Sequence, residues 1–119
     1  MSNLLSETID VLKQYNKDQV CVVWVGSKDG NYKIDWKQFE EIANIEYNDG
    51  FGSQRIAKDL VVVGTDWWLE RSEYDGSEWW DFNTLPKSEE NSKGFTTICN
   101  GDNWATIEEM NRQGGKYGK

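Results

Sequence analysis

The chain reads as an α+β protein: an antiparallel β-sheet with a long central hairpin, and about three helices (N-terminal, middle and C-terminal) packed on it. Three observations carry that expectation. Apolar residues recur with helical spacing near both ends and once in the middle. Short Val-rich runs lie between those segments. The stretch DWWLERSEYDGSEWWDF, Asp66 to Phe82, has the form of two strands around an Asp-Gly turn.

Residues 3–16 predict a helix, with Leu5, Ile9 and Leu12 at i, i+4, i+7, Tyr15 beside that stripe and Ser2 as N-cap. QVCVVWV, residues 19–25, predicts a buried strand, and Asp29-Gly30 a turn into a second strand over Asn31–Ile34. DWKQFEEIAN predicts a helix capped by Asp35, with Gln38 completing a capping box and Trp36, Phe39 and Ile42 or Ala43 facing inward. Residues 47–54, with Gly50 and Gly52, predict a loop, and LVVVG, residues 60–64, a strand. GFTTIC, residues 94–99, predicts another strand. NGDNWATIEEMNRQ predicts the last helix, with Trp104, Ile107 and Met110 on one side. One domain over 1–113 is expected, followed by a disordered Gly-rich tail over 114–119.

A chain of 119 residues is long enough to build a core without disulfides or metal. The mean hydropathy of −0.79 alone suggests disorder, but 13% of the residues are aromatic, which disordered chains lack. The core is therefore expected to be built more from Trp, Tyr and Phe than from Leu. Net charge is −8. That disfavours direct binding to nucleic acid, which needs Lys and Arg against phosphates, and binding to anionic membranes. It favours a basic protein partner. No apolar run is long enough to span a membrane, and MSNLLSETID lacks the form of a secretion signal, so a cytoplasmic setting is expected. Cys21 and Cys99 are then expected to be reduced thiols buried as small hydrophobes.

No histidine is present, which removes the commonest general base and zinc ligand. No phosphate-binding, dinucleotide-binding or calcium-loop motif occurs, so neither an enzyme nor a cofactor site is expected. Four of the seven tryptophans fall in the hairpin as two tandem pairs, and Asp66–Glu90 holds eight acidic and two basic residues, −6 of the total −8. Strand alternation sends Trp67 and Trp68 to opposite faces, and likewise Trp79 and Trp80, so one of each pair should join the core. The candidate partner-binding residues are Trp67, Trp68, Glu70, Glu73, Tyr74, Asp75, Glu78, Trp79, Trp80 and Asp81.

Two hairpin registers compete. A two-residue Asp75-Gly76 loop sets Glu73 against Glu78 and Glu70 against Asp81, both like-charge pairs. A three-residue loop, Tyr74-Asp75-Gly76 with a G1 bulge, avoids them and is the expected register. It sets Arg71 against Trp79, Glu70 against Trp80 and Trp68 against Phe82. In that loop Gly76 takes the left-handed position of the bulge, with a positive φ.

The stretch DLVVVGTDWWLERSEYDGSEWWDF, residues 59–82, resembles a segment of small uncharacterised acidic proteins of bacteriophages and prophages, through its Val-rich strand, DWWLER and EYDGSEWW. The resemblance covers about a fifth of the chain. It implies a phage or mobile-element origin and a bacterial host, and it brings no active residues. The expected function is a non-catalytic binding module that engages a basic protein surface through the hairpin, with inhibition of a host defence nuclease such as a CRISPR effector as one version. Two alternatives use the same residues. One is a carbohydrate-binding or weakly glycosidic face, with Glu70, Glu73, Glu78 and Asp81 as carboxylates beside tryptophan platforms. The other is a structural component or homo-oligomer that buries the spare tryptophans between subunits.

Overall fold

The computed structural model describes residues 2–48, 54–99 and 104–112. It shows the α+β class, with three α-helices and two antiparallel sheets among the described residues. Where one domain over 1–113 was expected, contacts group the chain into two compact units, Met1–Pro86 and Lys87–Lys119. The expected tail, 114–119, lies outside the described residues.

The first unit opens with β1 (Ser2–Asn3) and α1 (Leu4–Gln14). The N-cap is Asn3 rather than Ser2. Its side chain accepts the Ser6 N–H at 3.0 Å, while Ser2 pairs with Tyr47 of β4 (Glu46–Tyr47). The buried stripe is Leu4, Thr8 and Leu12: Leu12 faces inward as expected, while Leu4 and Thr8 take the places expected for Leu5 and Ile9, which are partly buried beside them. The helix closes on Asn16, whose φ is +61°. Asn16 N–H bonds Lys13 C=O at 3.0 Å and Lys17 N–H bonds Leu12 C=O at 2.8 Å, the two hydrogen bonds of a Schellman motif.

The run expected as a strand over 19–25 divides. Asp18 accepts the Val20 N–H and draws Gln19–Cys21 into a 3-10 turn, so β2 begins only at Trp24 (Trp24–Ser27). Cys21 is exposed, as is Cys99, so neither thiol serves as a small core hydrophobe. The second strand shortens to β3 (Lys33–Ile34), because Asp29 accepts the Asn31 N–H and Ser27 Oγ accepts the Tyr32 N–H, holding those residues in the loop. Helix α2 (Trp36–Ala43) has the expected Asp35–Gln38 capping box, and Ala43 rather than Ile42 faces inward. The segment expected as a loop over 47–54 begins instead with buried Tyr47 on β4; residues 49–53 lie outside the described residues.

β5 (Leu60–Val63) leads into the hairpin of β6 (Trp67–Tyr74) and β7 (Ser77–Thr84), giving the sheet order β3-β2-β5-β6-β7. The hairpin takes the two-residue loop, not the expected three-residue one. Tyr74 pairs with Ser77, Glu73 with Glu78, Arg71 with Trp80, Glu70 with Asp81 and Trp68 with Asn83. Asp75 (φ +51°) and Gly76 (φ +87°) both stand in the left-handed region, as a type I′ turn requires. There is no G1 bulge, and the positive φ at Gly76 is common to both registers.

One row of cross-strand neighbours, Val25–Val62–Leu69–Phe82, fixes which face is inside. Val25, Val62, Leu69, Trp67 and Trp80 join Leu4 and Leu12 of α1 and Trp36, Phe39 and Ala43 of α2 in one core. Tyr15 stacks on Phe82 with ring centroids 4.0 Å apart, and Phe82 stacks in turn on Trp67. Gly64 leaves room for that indole: a Cβ there would lie 2.1 Å from Trp67 Cε2.

In the second unit, no strand forms over the described residues of 94–99. The last helix is α3 (Ile107–Asn111), shorter than expected. Thr106 and Glu109 form a capping box that starts the helix after Trp104, which is fully exposed; residues 100–103 and 113 lie outside the described residues.

Candidate functional site

The ten candidate residues do not share one surface. The two-residue loop puts Trp67, Leu69, Arg71 and Glu73 on the helix-bearing face of the hairpin together with Glu78, Trp80 and Phe82. It puts Trp68, Glu70 and Ser72 on the opposite face with Trp79, Asp81 and Asn83. One tryptophan of each pair is therefore in the core, as expected: Trp67 is 3% exposed and Trp80 5%.

On the helix-bearing face Glu78 is structural. Glu78 is buried, and its carboxylate accepts Arg71 Nη2 at 3.0 Å and the backbone N–H groups of Arg55 at 2.6 Å and Ile56 at 3.3 Å. The Arg71 guanidinium lies 4.7 Å from the Trp80 ring centroid, so its indole partner is Trp80 rather than the expected Trp79. It also reaches Glu7 on α1 at 3.4 Å and the Tyr47 hydroxyl at 3.1 Å, and that hydroxyl donates to Glu7. Burial works against the Arg71 charge, but the hydrogen bond and charge interaction with Tyr47 and the two carboxylates hold its pKa above the ordinary value. Burial, reinforced by the bond to Glu7, pushes the Tyr47 phenol up. Trp80 Nε1 donates to Thr8 Oγ1 at 2.8 Å, and Thr8 donates to the Leu4 carbonyl at 2.7 Å. This network ties α1, β4, β6 and β7 together.

These partners explain the register. Like charges opposite each other cost roughly 0.2–1 kcal/mol, whereas a hydrogen bond to a charged group contributes about 1.5–3 kcal/mol. Glu78 makes three such bonds. The Glu70–Asp81 pair is relieved differently. Glu70 accepts Trp68 Nε1 at 3.0 Å and the Lys28 ammonium at 3.1 Å, and Asp81 accepts Trp79 Nε1 at 3.0 Å and the Ser72 hydroxyl. The Trp68 indole first, then Lys28, hold the Glu70 carboxyl below the usual range.

The opposite face is the candidate site. Trp24, Val63, Trp68, Glu70, Trp79 and Asp81 lie outside the core packed by α1 and α2, and Val61, in the middle of that face, is itself buried, 3% exposed. Trp24, Val63 and Trp68 form one cross-strand row, ending at Asn83. Trp79 is 38% exposed, Asp81 is exposed, and Trp68 and Glu70 are half-buried. Tyr74 and Asp75 stand exposed at the turn, Glu73 is exposed beside them, and Glu73 accepts Gln54 Nε2 at 3.4 Å. Trp24 is a member of this face that sequence reading missed, because QVCVVWV looked like one uninterrupted buried run. That face and the turn thus retain Trp68, Glu70, Tyr74, Asp75, Trp79 and Asp81 as accessible or partly accessible candidates; Glu73 is exposed at the end of the other face, and Trp67, Glu78 and Trp80 are excluded.

Among the described residues, no group of three metal-ligating side chains occurs, and no helix is long and apolar enough to cross a membrane. The chain matches no protein-family model, no curated protein and no solved structure.

Proposed function

We propose that the protein is a non-catalytic binding module that docks a basic protein surface on the hairpin face turned away from α1 and α2 and on the turn beside it. The observation that carries this reading is the pairing of half-exposed Trp68 and Trp79 with Glu70 and Asp81 on that face. Aromatic side chains supply buried area at low entropic cost, and the concentration of charge on the hairpin, a net −5 over Asp66–Pro86, speeds encounter with a positive partner. Glu78 and Arg71 neutralise each other inside, so the field comes from Glu73, Asp75, Asp81 and their neighbours. A basic nucleic-acid-binding groove, such as that of a host nuclease, is a target of fitting charge, and the phage-like stretch over 59–82 accords with it.

Affinity capture compares the wild type with the Trp79→Ser, Asp81→Lys double variant and with Glu90→Lys as a charge control. The wild type and the control should retain a basic protein that elutes as salt is raised, since exposed charges are screened over about 8 Å at physiological ionic strength. The double variant should not. Equal retention by all three, or none by the wild type at low salt, would overturn the reading.

A further inference from the structure

The two indole–carboxylate units of the open face are copies of one another. Trp68 donates to Glu70, two residues on, and Trp79 donates to Asp81, two residues on, each at 3.0 Å. Because Glu70 lies directly opposite Asp81, a local two-fold axis through that rung carries residue i of β6 onto residue i+11 of β7. It therefore superposes Trp68 on Trp79 and Glu70 on Asp81. The two indoles flank one rung from opposite ends, each roughly 7 Å away along its strand at the rise of an extended chain. The rung carries two carboxylates, and their N–H donors come from the flanking rings.

A cation already sits there. The Lys28 ammonium lies 3.1 Å from Glu70 Oε1, on a side chain that is 63% exposed. Trp68 Nε1 and Lys28 both meet Glu70 at Oε1, and Asp81, which accepts Trp79 Nε1 and the Ser72 hydroxyl, is exposed. Lys28 arrives from the β2–β3 turn and touches one carboxylate only, and exposed ion pairs of this kind are weak enough to exchange.

We propose that this rung is a receptor for a single arginine of the basic partner, with the guanidinium across Glu70 and Asp81, the rings of Trp68 and Trp79 on either side, and Lys28 displaced. The proposal rests on the binding-module reading and names its anchor. Arginine fits better than lysine for two reasons. Its planar fork can meet two carboxylates at once. It is less strongly hydrated than an ammonium, so desolvating it beside two indoles costs less. A second copy of the chain is disfavoured by its own net charge of −8.

The test is a titration of the full chain with the capped pentapeptide Gly-Gly-Arg-Gly-Gly and with its lysine counterpart, followed through the indole N–H signals by NMR. The signals of Trp68 and Trp79, assigned with Trp68→Phe and Trp79→Phe, should move, and that of core Trp80 should not. The arginine peptide should bind several-fold more tightly than the lysine peptide. Glu70→Gln and Asp81→Asn should each weaken it several-fold, Glu90→Gln should leave it within twofold, and Lys28→Ala should tighten it. Equal binding of the two peptides, or equal losses from Glu70→Gln and Glu90→Gln, would overturn the proposal in favour of a general acidic field. Unmoved Trp68 and Trp79 signals would overturn it outright. A basic protein that binds while those signals stay still leaves the docking reading standing and removes the arginine. Peptide binding without any protein capture does the reverse.

Discussion

Glu78 and Asp81 show how little residue type says about role. Both are hairpin acids three positions apart, yet one is buried against Arg71 and two backbone N–H groups and the other is exposed beside Trp79. Removing one partner of a buried ion pair costs about 3–5 kcal/mol, because the remaining charge is stranded. Glu78→Ala should therefore lower stability by that amount in urea unfolding, whereas Asp81→Ala should change it by less than about 1 kcal/mol. Similar changes for the two would refute the division of roles. A charge-reversed Glu78 cannot serve as a binding test, since it would report on folding. Thr8 is the second telling residue. It is fully buried and gives the Trp80 indole N–H its acceptor. Thr8→Val keeps the shape and removes that acceptor, so it should destabilise by roughly 1–3 kcal/mol. Neither role could be read from the chain alone: Thr8 falls beside the apolar stripe of α1, and its use depends on a tryptophan 72 residues away.

At the scale of elements, the hairpin turn carries the clearest prediction. Asp75 and Gly76 both have positive φ, and a Cβ is penalised there. Gly76→Ala should lower stability by roughly 1 kcal/mol, while Asp75→Asn, which supplies the favoured Asn-Gly pair, should leave it unchanged or raise it slightly. A loss of stability in Asp75→Asn would contradict the type I′ turn. The sequence contained the information for this register. With a two-residue loop, Trp67 and Leu69 share a face with Trp80 and Phe82. A three-residue loop would turn Asp81 and Asn83 onto that face and send Trp80 and Phe82 away, since a one-residue slip inverts every side chain of a strand. Repulsion between the like-charged pairs costs under about 1 kcal/mol, and the burial of two large aromatic side chains, each of the order of 2–3 kcal/mol, outweighs it. Other elements were plainly legible. α2 has its cap, its capping box and Phe39 where local chemistry puts them, and LVVV is a strand. Two were legible but outvoted. Asp18 caps the 3-10 turn inside an apparent Val strand, and Thr106-x-x-Glu109 starts α3 later than its apolar spacing suggests. The open face was the least legible part, because it depends on which side of the sheet α1 and α2 cover.

For the molecule as a whole, stability against pH follows from where its charges sit. The Glu70 carboxyl is held down by the Trp68 indole and by Lys28, and Asp29 by the Ser27 hydroxyl and the Asn31 N–H. A depressed carboxyl adds stability that is complete above its unfolded value, about 4, and that disappears as pH falls through the lower folded value. Tyr47 behaves oppositely: burial and Glu7 raise its phenol, so its contribution is complete below about 10 and is lost as pH rises through the folded value. With no histidine in the chain, nothing of that type titrates between these limits. The urea midpoint should therefore be nearly level from about pH 5 to 9 and fall at both ends. Glu70→Gln should make the acid limb shallower and leave the alkaline limb alone. Tyr47→Phe should lower the plateau, because Arg71 and Glu7 lose their hydroxyl, and should flatten the alkaline limb. If Tyr47→Phe left the alkaline limb as steep as in the wild type, the buried phenol would not be what fails at high pH. The test also separates the two faces of the hairpin. Tyr47 reports on the network beneath the sheet, and Glu70 reports on the open face. An acid limb that Glu70→Gln leaves unaltered would mean that the carboxylate on that face is not held by Trp68 and Lys28 in solution, and with them would go the preformed indole–carboxylate geometry on which the arginine site depends.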